Sequence, residues 1–234
     1  MKKIVLLVLT LALAAALSTS AFAWSSADLV LDNYYWLKYN GDVGAESYYT
    51  TQGNFKAVAM NLLVDDAVAV GPIYQKSLAP GVWLGSVNTF CIALGAPMIT
   101  DEYAAKYMNL NTAKGAAYLL NKYGASNTDF AWNAALQAAV WKSLDTANDY
   151  QLWSGPDALK LAAAQGYYTS FTTEIAGLLG YGLTPGFNGN DPVNKVSQNV
   201  GTGVVPEAST LVGFGSALVM AGPGMIGWLR RRRA

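Results

Sequence analysis

Histidine is absent from all 234 residues, and there is a single cysteine, Cys91. Without histidine, the usual general base of serine and cysteine hydrolases and the commonest zinc ligand are missing. One cysteine also rules out an intrachain disulfide. Arginine occurs only as Arg230, Arg231, Arg232 and Arg233. Setting aside these four, Lys2 and Lys3 leaves nine of fifteen basic residues; setting aside Glu207 leaves fourteen of fifteen acidic ones, so the body carries about minus five. Such a body has no basic cluster to neutralise phosphates, so no nucleic-acid partner is expected. No paired carboxylates or base–nucleophile set can be located, so neither a turnover enzyme nor a cofactor is expected. Asp65-Asp66 and Asp145 to Asp149 lack the dense oxygen spacing of a calcium loop and read as solvated turns.

The two ends are apolar. Lys2 and Lys3 lead into Ile4 to Leu17, then Ala21-Phe22-Ala23, the layout of a signal peptide over 1–23 with the mature chain starting at Trp24. At the other end, Val205-Pro206-Glu207-Ala208-Ser209-Thr210-Leu211 precedes an apolar run to Leu229. That run matches the ~20 residues of a membrane-crossing helix, with the arginines on the cytoplasmic side. The order of motif, apolar run and arginines over 205–234 resembles the PEP-CTERM tail of exosortase-processed surface proteins. The sorting motif is Pro206, Glu207, Ser209 and Thr210, with Ala208 where that family usually has a second proline, and Arg230 to Arg233 form the membrane stop. The resemblance implies signal peptidase and exosortase as processing partners. It further implies a precursor tethered to the inner membrane through the C-terminal helix, and a mature form at the cell surface or outside the cell. The alternative is a C-terminal anchor that is never cut.

Between the ends, 24–182 reads as one α+β domain: a β-rich N-terminal lobe, sandwich or partial barrel, plus an α-helical lobe. Gly53 to Val70 reads as strands, with Phe55, Ala57 and Ala59 alternating before Leu62, Leu63 and Val64. Val87 to Leu94 alternates as a further strand, with Phe90, Ile92 and Leu94 on one face and Val87, Thr89, Cys91 and Ala93 on the other, away from the bulkiest apolar side. Helices are expected from Lys114 to Tyr123, from an Asp129 cap through Leu144, from Pro156 to Gln165 and from Thr169 to Leu179. The Gly, Asn and Pro content of 183–204 reads as a flexible linker. Tyr34, Tyr35, Trp36, Tyr48, Tyr49, Tyr167 and Tyr168 could stack on sugars, but aromatics alternating in strands more often fill a core or pair across strands.

Cys91 and Gln137 stand out. A free cysteine is by default an inert buried side chain, and in an exported chain an unpaired one can also form an intermolecular disulfide. Gln137 is by default an ordinary helix residue, yet its spacing before Val140, Trp141 and Leu144 turns its amide to the apolar side, where it needs a partner. Phe90-Cys91-Ile92 followed by Leu136-Gln137-Ala138-Ala139-Val140-Trp141 resembles the bacterial thioester domains, adhesin modules of the TQxA type, with Leu136 in place of threonine. The resemblance implies an internal thioester between Cys91 and Gln137, with Phe90, Trp132 and Trp141 shielding it from water. Backbone amides near Cys91 and the Thr89 hydroxyl are candidate oxyanion donors. The implied function is a single-use covalent adhesin that acylates a surface protein amine or an exopolysaccharide. The alternative is a non-reactive structural protein of the extracellular polysaccharide matrix.

Overall fold

The computed structural model describes residues 28–94, 101–124, 128–188 and 199–202. The expected signal peptide and sorting tail lie outside them. Among the described residues no helix is long and apolar enough to cross a membrane. Over the described residues the fold is α+β, with a β-rich sheet region and three helices.

Six antiparallel strands close on themselves. β1 (Tyr34–Asp42), β4 (Met60–Val70), β6 (Gly85–Cys91), β7 (Tyr103–Ala113), β9 (Tyr181–Asn188) and β10 (Val200–Gly201) run in the order β1-β7-β9-β10-β6-β4, and β4 pairs back with β1. The ring is a small barrel, and closure removes the free edges that an open sheet would expose. β5 (Ile73–Lys76) extends β4 as a hairpin. Register defines the interior. Leu37 pairs with Val64 and Tyr103, Leu62 with Val87, Tyr107 with Phe187, and Phe187 with Val200. Tyr35, Tyr107 and Phe187 meet there with ring centroids 5.2–6.3 Å apart. Tyr35, Tyr48 and Tyr168 are buried, so these three aromatics fill the core.

The helices are an insertion between β7 and β9. They are α1 (Lys114–Tyr123), α2 (Phe130–Leu144) and α3 (Ala158–Glu174). A second, three-stranded sheet of order β3-β2-β8 comprises β2 (Tyr48–Thr50), β3 (Lys56–Ala57) and β8 (Leu152–Ser154). As expected, α1 stops at Gly124, and Asp129 caps α2 by accepting from the Ala131 and Trp132 amides. α2 lies between α1 and α3 and is buried nearly all round from Ala131 to Trp141, as suits its alanine-rich sequence.

Three expectations change. The two helices expected over 156–165 and 169–179 are one, capped by Asp157 and continuing through Gly166, where the Thr172 and Thr173 hydroxyls bond back to the carbonyls of Tyr168 and Thr169. Residues 183–204 are not simply a linker, because β9 and β10 are staves of the barrel, with Thr184, Phe187, Val200 and Thr202 buried. The domain therefore extends at least to Thr202. Glycine there serves close packing: a Cβ on Gly201 would lie 2.6 Å from Leu120 Cδ1, and one on Gly186 would collide with the Val200 carbonyl oxygen. A Cβ on Gly182 would likewise lie 2.9 Å from Ala117 Cβ, so α1 seats over the glycines of β9 and β10. Finally, Asp65 is not on a solvated turn. It is fully buried in β4 and accepts from the Ser77 hydroxyl and the amides of Asp66 and Leu78 at 2.8–2.9 Å.

Candidate functional site at the end of strand β6

Strand β6 outlasts one of its neighbours. Met60, the first residue of β4, pairs with Thr89, so Cys91 lies past the end of that ladder. On its other side β6 pairs with β10, and the Ile92 amide donates to the Asn199 carbonyl. Strand groups alternate in direction, so the Cys91 N–H and C=O point away from β10 into the gap β4 has left. Buried peptide groups must find partners.

The Gln137 carboxamide supplies both. Cys91 N–H donates to Gln137 Oε1 at 2.8 Å, and Gln137 Nε2 donates to the Cys91 carbonyl at 2.9 Å. Gln137 is fully buried and Cys91 is 6 % exposed. One side-chain amide thus replaces a missing strand, and it brings the two residues singled out in the sequence together across 46 positions.

The thiol faces inward. Cys91 pairs with Val200, which places its side chain on the interior face with Phe187 and Tyr107, so it lies on the bulky side of the sheet rather than away from it. The S–H donates to the Ala93 carbonyl at 3.2 Å. Burial pushes the thiol pKa up, partly offset by the Ala93 backbone and by Trp141. At neutral pH the sulfur is therefore protonated. Of the candidate oxyanion donors, the Cys91 amide already touches the Gln137 carbonyl oxygen, whereas the Thr89 hydroxyl is turned to the Met60 carbonyl at 3.3 Å.

The expected shields separate. Trp141, one helical turn after Gln137, is 7 % exposed and acts on the thiol. Its ring meets Phe55 at 5.8 Å and Tyr150 at 6.2 Å. Phe90 is buried but points from the opposite face of β6 to Cys91. Trp132 packs instead against Tyr123 and Phe171, in the aromatic contact of the three helices. Phe55 is the covering residue that periodicity missed. It reads as part of a strand but follows the Gly53–Asn54 turn, where both residues have positive φ, and it is 40 % exposed over Trp141.

Among the described residues no group of three or more His, Cys, Asp or Glu side chains could hold a metal. Asp145 instead accepts from the Ala147 amide, Asn148 and Tyr150, and Asp149 from Tyr168. Compared with known proteins, the chain matches no family model, no curated protein and no solved structure.

Proposed function

We propose that this is an exported, tail-sorted cell-surface protein that acts as a covalent adhesin through an internal thioester between Cys91 and Gln137. The observation that carries the reading is the pair of hydrogen bonds joining the Gln137 carboxamide to the Cys91 peptide in a buried seam. The Cys91 sulfur attacks Gln137 Cδ, and the oxygen that gains charge is the one already held by the Cys91 N–H. The C–N bond then breaks, and the nitrogen leaves as ammonia with the thiol proton. Fixed proximity offsets the poor electrophile, since oriented intramolecular partners reach effective molarities of about 10⁵ M or more. A partner amine or sugar hydroxyl later attacks the same carbon, forming an amide or ester and returning the thiol. The protein ends attached and does not turn over.

Processing in this reading follows the two ends: signal peptidase removes 1–23, and exosortase acts at the motif of Pro206, Glu207, Ser209 and Thr210. The test is the intact mass of the purified chain. It should be lighter by one ammonia than the sequence requires, and Cys91→Ala should carry the full mass.

A second reading is favoured by the same two bonds taken alone. They satisfy the Cys91 peptide without any reaction, and a thiol kept protonated by burial is a poor nucleophile. The protein would then be a non-reactive component of an extracellular polysaccharide matrix. A full-mass wild-type chain with one thiol that titrates on unfolding decides for it.

A further inference from the structure

Within the covalent seam one polar group is left over. Trp141 is 7 % exposed, and its indole N–H is buried without a hydrogen-bond partner. Buried donors are rarely left unpaired, and one that is calls for a reason. The side chain cannot readily turn away, because Phe55 and Tyr150 meet its ring. Tyr150 is itself fixed, buried and donating its hydroxyl to Asp145 Oδ2 at 3.0 Å. The indole sits one turn beyond Gln137 on the same side of α2. Gln137 in turn is bonded to Cys91.

We propose that the Trp141 indole N–H is the hydrogen-bond donor reserved for the anionic sulfur of Cys91. In the resting thiol the S–H is directed to the Ala93 carbonyl, and the indole N–H has no hydrogen-bond partner. Once the proton leaves, sulfur becomes a strong acceptor and the waiting N–H can close on it. The indole already draws the thiol pKa downward, and no charged side chain is among the causes of that shift. The proposal rests on the covalent reading for its catalytic consequence. The donor would stabilise the attacking thiolate when the thioester forms and the departing thiolate when a partner nucleophile opens it. Trp141 would then be a catalytic residue of both steps.

Trp141→Phe keeps the ring and removes the donor. The thiol form of the chain, taken as isolated or after opening with methylamine, is alkylated across a pH series. The midpoint should move to higher pH in Trp141→Phe, and thioester formation should slow about tenfold or more. An unchanged midpoint overturns the proposal, whatever the wild-type mass. Full mass in the wild type sinks the covalent reading instead, and leaves the midpoint to decide the donor. Should Trp141→Phe not fold, a ¹⁵N-labelled wild-type thiol form serves. One indole proton should move downfield as the thiol ionises, and not in Cys91→Ala; indole signals flat across that range overturn the assignment.

Discussion

Neighbouring strands β4 and β6 each hold a buried polar side chain, and the two are provided for in opposite ways. Asp65 of β4 is satisfied locally: its donors, Ser77, Leu78 and Asp66, all lie within 13 residues, and Lys76 stands 3.8 Å away. Everything it needs arrives with the β4–β5 hairpin. Cys91 of β6 depends on a helix 46 residues downstream, and its partner is a carboxamide beside a thiol and a spare N–H. A closed local network has nothing left to react. The long-range seam keeps a carboxamide, a thiol and two N–H donors in one place.

The largest effects should fall on the seam. If the thioester forms, it closes a loop of 46 residues, and the chain-entropy relation assigns such a link about 4 kcal/mol. Methylamine opening should lower the unfolding free energy by about that amount in a denaturant titration. Gln137→Leu should cost about 2–4 kcal/mol more than Cys91→Ala, since it also strands the Cys91 N–H and C=O. A Gln137→Leu chain no less stable than Cys91→Ala would mean that the carboxamide is not what completes β6.

Asp65→Ala should cost about 3 kcal/mol by stranding the Ser77 hydroxyl and the Leu78 amide and removing the carboxylate beside Lys76, without changing the ammonia deficit of the chain relative to its own sequence or its alkylation profile. A shift in either would break the separation of the two ends. Gly201→Ala should cost about 2 kcal/mol through overpacking against Leu120, and should weaken the seam indirectly by lifting α1 from the sheet. Hydrogen exchange would read this as faster exchange at the Cys91 amide and unchanged exchange at Leu78.

How much of this was legible in the sequence follows from how local each cause is. β4, the end of α1 at Gly124 and the Asp129 cap are written in spacing and capping chemistry within a few residues. Cys91 and Gln137 stood out because one is a lone thiol and the other a polar side chain on an apolar helix. Their meeting through the Cys91 peptide depends on β4 starting at Met60, a fact of register that no local pattern carries. β9 and β10 were hidden for a related reason. Gly182, Pro185, Gly186 and Gly201 give the composition of a linker, while the function of Gly182 and Gly201, letting Ala117 and Leu120 of α1 approach the barrel, exists only once α1 is there. Trp132 was misplaced as a shield because it shares a helix with Gln137 without sharing its face.

The smallest effect is also the finest test of the contrast. Glu174, at the end of α3, accepts from the Tyr118 and Tyr123 hydroxyls of α1 at 2.7 Å and pairs with Lys122. The Lys122 ammonium, followed by the two tyrosine hydroxyls, lowers its pKa from an ordinary 4.5 to about 2. A lowered folded-state pKa means that this stabilisation is complete above about 4.5 and lost as pH falls toward 2. The groups are on the surface, so the loss is modest, but it falls on the helical insertion alone. On acidification, protection of the Cys91 amide should decline before that of Leu78, and Glu174→Gln should remove the difference. Equal loss at both amides would show that the insertion and the β4–β5 hairpin open as one unit, and that the seam is no more exposed to remote events than the Asp65 network.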